Sequence, residues 1–358
     1  GDDYPFTSYA FLSALEESGS ASTETGWTPH HLIVRSENGK LIAAVPSYLK
    51  DHSYGEYVFD WAWADAYRRY GFTYYPKLLS AIPFTPSVGQ RLLIDKEISS
   101  PKTIHHLIQL ITHHCREQRL SSWHLLFPPE KFDPAALNGT ELMHRSGTQY
   151  HWYNHGYQTF DDYLGGMKAR KRNSIRKERQ KVFDQGISFE HVTGGDLTTA
   201  QLRDFYTYYH ATYLKRGQYG YLNIDFFELL AERMPNKMLI VFAKRGEKRI
   251  AAALFFLGSD TLYGRYWGCL DEYKHLHFET CYYQGIDYCI QNGLRHIDSG
   301  AQGEHKIQRG FEPIETHSYH WIARPEFRTA IEDFVEQERE HIHEYIEAAQ
   351  SYLPFKKE

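Results

Sequence analysis

The order of its periodic segments constrains this chain more than any single residue does. Phe6 to Glu17 has helical spacing, with Phe11, Leu12 and Leu15 on one side, and the Ser/Thr/Gly tract after it is a loop. His31 to Arg35 and Lys40 to Tyr48 read as a strand pair across the Asn38-Gly39 turn. The alternating aromatic run Glu56 to Trp63 predicts a third strand, and Gln90 to Ile94 a further one. Thr103 to Arg119 is helical, with Ile104, Leu107, Ile108 and Ile111 inward, and Ser122 to Phe127 is a strand. The second half repeats the plan. Helices at Thr198 to Leu214 and Asp225 to Arg233 precede strands at Lys237 to Ala243, Arg249 to Leu257 and Thr261 to Gly268. A helix from Phe278 to Gln291, stopped by Asn292-Gly293, then delivers the strand Leu294 to Asp298. A plan run through twice predicts an α/β (α+β) protein of two tandem units, each a mixed, mostly antiparallel sheet flanked by helices.

At 358 residues the chain also exceeds what one core usually supports. The expected division is 1–160 for the first unit, 161–190 for a basic helical connector and 191–324 for the second unit. Residues 325–358 form a C-terminal amphipathic helix, with Phe327, Ile331, Phe334 and Ile342 in its stripe. A net charge of −5 excludes a uniformly basic nucleic-acid binder but leaves room for a local patch. The apolar run Ala251 to Leu257 is far too short to cross a bilayer, and no signal peptide is expected at the start. The expectation is a soluble, cytoplasmic protein. Its 4 cysteines include no C-x-x-C pair and read as reduced thiols, Cys281 as a small buried side chain rather than a nucleophile. Among the 21 histidines the tight clusters are His275-x-His277-x-Glu279 and His113-His114-Cys115. Neither has a recognised ligand spacing, so no metal is expected.

Two stretches carry chemistry. Leu294 to Pro313 breaks from its strand into a loop punctuated by Gly300, Gly303 and Gly310, which hold Gln302, Glu304, His305, Lys306 and Arg309 between them. Glycines allow turns that other residues resist, so this loop can aim a carboxylate, an imidazole and two cations at one place. Lys168 to Lys181 carries eight cations against one carboxylate. It reads either as a solvated linker helix or as a phosphate-binding surface, with Arg172 and Arg176 as the testable contacts.

The helix–strand order resembles the GNAT acyltransferase fold twice over. Leu262-Tyr-Gly-Arg-Tyr-Trp-Gly268, Leu276-His-Phe-Glu-x-Cys-Tyr-Tyr-Gln284 and Gly300-Ala-Gln-Gly-Glu-His-Lys306 resemble the FemAB-like group of N-acyltransferases. Gly55-Glu-Tyr-Val-Phe-Asp60, Tyr74-Tyr-Pro-Lys77 and Pro83-Phe-Thr-Pro86 agree with it in the first half. Lys168-x-Arg170-x-x-Asn173-x-Ile175-Arg176 resembles the start of the second GNAT-like unit in Fem aminoacyltransferases, which move an amino acid from aminoacyl-tRNA onto a peptidoglycan precursor. One departure concerns the donor. Where acetyl-CoA-binding GNAT domains place a glycine-rich pyrophosphate loop, this chain has Leu270 to His277 without a glycine.

The resemblance implies an acyltransferase that joins an activated acyl or aminoacyl donor to an amine. No cofactor would be bound permanently. Acyl-CoA or aminoacyl-tRNA would be co-substrate, and a small-molecule or peptide amine and possibly tRNA the partners. In a GNAT-like unit the strands carrying Arg265-Tyr266-Trp267 and Arg295 to Asp298 splay apart around the acyl group. Glu304 or His305 is then the expected base, with His277 second, and Tyr266 protonates the leaving group. Arg265, Gln302, Lys306 and Arg309 bind anionic groups or the oxyanion. Glu279 and Asp298 are candidates at the same cleft, with a buried ion-pair network as the alternative reading of both and of Arg265. Asp60, Trp61, Trp63, Tyr75 and Lys77 are expected to line an acceptor pocket at the interface of the halves, with aromatic core as the favoured alternative for the tryptophans. Two other readings fit the same residues: a non-catalytic module that binds RNA or a nucleotide-linked ligand, and a metal-dependent hydrolase built on the His/Glu clusters.

Overall fold

The computed structural model of the protein describes residues 3–301 and 303–356. Helix α1 (Tyr9–Glu17) opens it, with Ser8 as N-cap accepting from the Phe11 amide. Seven strands follow: β1 (Trp27–Pro29), β2 (Leu32–Arg35), β3 (Leu41–Val45), β4 (Tyr48–Lys50), β5 (Lys77–Ser80), β6 (Leu93–Ile94) and β7 (Ser122–Leu126). Among them run α2 (Trp61–Arg69) and α3 (Pro101–Glu117), and after β7 the short α4 (Pro134–Leu137). Then come β8 (Met143–Tyr153), α5 (Phe160–Gly165), α6 (Ala169–Phe183), β9 (Ile187–Thr193), α7 (Thr199–Leu214) and α8 (Ile224–Arg233). The chain continues through β10 (Met238–Arg245), β11 (Lys248–Leu257), β12 (Thr261–Cys269), α9 (Leu276–Phe278), α10 (Gln284–Gln291), β13 (His296–Asp298), β14 (Glu312–Ile322) and α11 (Pro325–Ser351).

Two compact units result, and neither is one continuous stretch. The first holds Gly19–Thr148 and Glu315–Ile346; the second holds the opening helix up to Ser18, Gln149–Ile314 and the chain from Glu347 onward. Divisions at residues 160, 190 and 324 do not coincide with these, because β8 starts in the first unit and ends in the second, and β14 makes the return. Strand pairing ignores sequence order, so a linear cut cannot follow it. The basic helix α6 belongs to the second unit, anchored by buried Ile175 and Val182.

In the first unit β4 pairs antiparallel with β1 and β5, β5 runs parallel to β7, and β7 is antiparallel to β14. Ile108, Ile111 and Cys115 of α3 pack against Trp123 and Leu125 beneath this sheet. In the second unit β9, β10, β11 and β12 form an antiparallel run, and β13 lies parallel to β12 and antiparallel to β8. An antiparallel run ending in one parallel pair occurs in both units, as a doubled GNAT-like α/β (α+β) plan requires. No helix among the described residues is long and apolar enough to cross a membrane.

One expected strand is absent. Glu56 to Trp63 is a loop leading into α2, with Trp63 and Tyr67 on the buried face and Trp61 outside. Its alternation has another cause: Glu56 and Asp60 both turn inward to the ammonium of Lys77, at 2.8 and 2.5 Å.

Candidate active site

Strands β12 and β13 pair for three residues only, Thr261–Tyr263 against His296–Asp298, after which β12 runs on alone to Cys269. On its other edge β12 slips register against β11. Leu254 faces Tyr266 while Phe255 faces Gly264, which leaves Arg265 bulged. A bulge re-aims the side chain it carries. Arg265 turns into a cavity of about 110 Å³ at the fork, lined by Phe255, Tyr266, Trp267, His277, Tyr282 and Ser299. Its Nε and Nη1 are buried and have no hydrogen-bond partner among the described residues. A β-carbon added at Gly300 would come within 3.5 Å of Nη1, so the glycine keeps that face of the guanidinium open.

The glycine-punctuated stretch is shaped, as its composition predicts. Gly300, Gly303 and Gly310 all have positive φ, and Glu304–Arg309 form a 3-10 helix between the last two. A side chain at Gly303 would meet the His305 ring at 2.9 Å, in a conformation (φ +110°) that L residues rarely adopt. The loop's polar groups diverge. Lys306 points inward, 3% exposed, and donates to the Ser299 and Gly300 carbonyls at 2.9 and 3.1 Å, so it ties the loop back to the end of β13. Burial lowers its pKa to about 8. Arg309 is buried too: it bonds Glu178 at 2.9 Å, donates to the His305 carbonyl and lies 3.4 Å over the Phe278 ring. It braces the loop rather than facing a ligand. Glu304 and His305 are exposed, although the His305 imidazole hydrogen-bonds Tyr282 Oη at 2.9 Å. Gln302 lies outside the described residues.

His277 lies in the cavity wall, its ring centroid 5.4 Å from those of Trp267 and Tyr282. Burial, with the charges of His305 and Arg309 adding, lowers its pKa to about 4, so it is an uncharged imidazole at neutral pH. It is positioned by an irregular helix: His275 takes a left-handed conformation, and Glu279–Tyr283 form one π-helical turn. Such turns recur at functional sites. Cys281 also lines the cavity, but burial pushes its thiol far above the ordinary value. Tyr266 shows the cavity its edge while packing on Tyr209.

Other expected site residues are engaged elsewhere. Glu279 is fully buried and accepts from Arg179 of α6 and from Gln284, the ion-pair alternative made real. Asp298 accepts from the Gly300 amide at 2.8 Å and lies 3.7 Å from His151. Arg176 pairs with Asp161, and Arg172 turns back toward the Met167 carbonyl. Asp60 and Lys77 do not line an open pocket. They are 2% and 0% exposed and bonded to each other, with Tyr74 Oη donating to Asp60 at 2.6 Å. Buried opposite charges are held only when paired, and this pairing closes them to a substrate. Trp61 is exposed, Trp63 is core, and Tyr75 Oη bonds Ser53. Tyr282 was not foreseen as a site residue. Its signal was the i, i+4 spacing from Phe278, which presents both rings to His305.

A parallel strand pair that forks around an aromatic-walled cavity, lined by a guanidinium with two unbonded nitrogens and by an uncharged imidazole, fits an acyl-transferring enzyme of GNAT-like fold. The chain belongs to the FemAB-like family, described as peptidoglycan biosynthesis/recognition, whose model matches residues 1–357. Solved structures of similar fold include FemX, with 11% identity over 87% of this chain and 92% of that one (TM-score 0.54). L-PGS from Bacillus licheniformis matches at 11% identity, over 91% of this chain and 96% of that one (TM-score 0.54). The C-terminal domain of a putative lysylphosphatidylglycerol synthetase from Agrobacterium fabrum does so at 10% identity, over 90% and 96% (TM-score 0.52). No curated protein sequence matches the chain significantly.

Proposed function

We propose that the cavity at the β12–β13 fork forms an amide bond between an aminoacyl donor carried on tRNA and the amine of a peptidoglycan precursor. The observation that carries this reading is Arg265, a bulged cation whose buried Nε and Nη1 lack acceptors among the described residues. A buried donor left unmatched costs free energy that a ligand oxygen can return. In acyl transfer that oxygen is the carbonyl oxygen, which turns anionic as the amine attacks. His277, uncharged in the wall, receives the proton of the attacking amine, with Glu304 and His305 as the alternative base at the rim. Tyr266 returns a proton to the departing hydroxyl. Lys306 and Arg309 hold the loop that closes the fork.

Two features favour tRNA over acyl-CoA as the donor's carrier. Leu270 to His277 offers no glycine-built cradle for a pyrophosphate. Helix α6 keeps Lys168, Arg170, Lys177 and Lys181 exposed, and a row of cations releases counterions on meeting a phosphate backbone. Both substrates would meet the enzyme in the cytoplasm. The test is incubation with charged tRNA or acyl-CoA plus a nucleotide-linked muropeptide, read by mass spectrometry as the mass of the amide product. Product from charged tRNA alone is expected. Tight tRNA binding without product would instead favour a non-catalytic binding module. Reversing charge at Arg170 and Lys177 should weaken tRNA binding and flatten its salt dependence; unchanged binding would remove α6 from the donor site.

A further inference from the structure

We propose that His144, Glu315 and His317, joined by His343, form a binding site for a divalent metal ion of the zinc class within the first unit. The three core residues come from the first-unit ends of β8 and β14, and their donor atoms all lie within 4.8 Å of one another. His144 Nε2 is 3.1 Å from His317 Nδ1, and His317 Nδ1 is 3.8 Å from Glu315 Oε1. His343 reaches the same oxygen from α11, at 3.2 Å. Metal–nitrogen bonds of about 2.0–2.1 Å at tetrahedral angles would set neighbouring donors roughly 3.3 Å apart, between the 3.1 and 3.8 Å separations of these atoms. Two imidazoles and a carboxylate, with a third imidazole at the rim, is a donor set that suits zinc and its first-row neighbours better than magnesium or calcium.

Two further observations fit a metal. Ser146 donates to Glu315 Oε1 at 2.5 Å, the kind of outer hydrogen bond that orients a ligating carboxylate. Helix α11 buries Phe327, Ile331 and Val335 and then no side chain until Ala349. Across that gap it is held by polar contacts, the paired Arg145–Glu338 bonds and His343 on Glu315. An ion shared by β8, β14 and α11 would pin the helix where apolar packing lapses. The nearby cations are Lys131 and Arg339, against which Glu315 supplies the one ligating negative charge.

The experiment uses the full chain, stripped with chelator and titrated with zinc sulfate by calorimetry, with metal content read by mass spectrometry and cobalt(II) as a coordination probe. One bound equivalent, a raised melting temperature and the visible spectrum of a tetrahedral cobalt site are expected. A His144→Ala/His317→Ala chain should lose at least the 10- to 100-fold in affinity, roughly, that even an outer-partner substitution costs. A His113→Ala/His114→Ala chain should bind as before. If the first double variant loses its fold by circular dichroism, Glu315→Gln and His343→Ala are measured singly, and each should weaken binding. Absence of stoichiometric binding, or affinity unchanged by these substitutions, would overturn the site.

Discussion

At the scale of single residues, Arg265 and the Glu304–His305 pair make opposite demands. Two guanidinium nitrogens of Arg265, Nε and Nη1, are buried without acceptors among the described residues, so its removal should cost function and not stability. Arg265→Met is expected to lower kcat/KM by about 10²–10³, the loss seen when one oxyanion donor is deleted. Its melting temperature should stay level or rise, because two unmatched buried donors go with it. A variant that unfolds would assign Arg265 to the framework. Glu304 and His305 sit on the exposed side of a turn, where substitutions cost little stability. A Glu304→Gln/His305→Ala chain should therefore melt like the parent and keep its turnover, with His277 as the base. Collapsed turnover at an unchanged melting temperature would move the base to the rim pair.

Elements are positioned by a few contacts that cannot be shared out. Helix α6 is tied to the π-turn of the site by Arg179, whose guanidinium bonds Glu279 and Asp287 at 3.0 and 2.6 Å and stacks 4.1 Å over Phe160. Glu279→Ala leaves that guanidinium without its buried partner and should cost about 3–5 kcal/mol in urea unfolding. A much smaller loss would mean that Asp287 suffices. Helix α7 approaches β12 so closely that a β-carbon at Gly268 would stand 1.9 Å from the Tyr208 carbonyl oxygen. Gly268→Ala should force the two apart and lower stability by at least the ~1–3 kcal/mol typical of overpacking. Since β12 carries Arg265, activity should fall with it.

For the whole molecule, buried histidines set the response to acid. Burial lowers His124 to about 3 and His151 and His277 to about 4. Their folded values lie below the unfolded value of about 6.5, so their contribution is intact above that pH and is lost as pH falls toward 4 and below. Glu56 runs the other way. Burial raises it to about 7, so the stability it gives is present in acid and lost as pH rises through 7. The buried histidines outnumber Glu56 and predict a melting temperature that falls steeply on acidification from about pH 6.5 to 4. A flat profile over that range would mean that these imidazoles are hydrated rather than buried.

What the sequence determined by itself was local and periodic. Helical spacing located α3, α7 and α8 to within two residues at each end and the start of α11, the strand-like runs located β10, β11 and β12, and the three glycines announced a shaped loop because only glycine accepts their φ values cheaply. Arg265 and His277 could be named because they fall within the quoted motifs. Tertiary structure alone decided everything that depends on distant partners. Glu56 to Trp63 alternates for the sake of Lys77 and not of a sheet. Arg309 and Glu279 found counter-charges in α6 and ceased to be ligand contacts. The tight metal-like cluster unites His144 with Glu315 and His317, residues 173 positions apart at its widest hydrogen bond, instead of neighbours in sequence. Periodicity records which way a side chain faces; only the folded chain fixes what stands opposite it, and charge and coordination chemistry depend on the second.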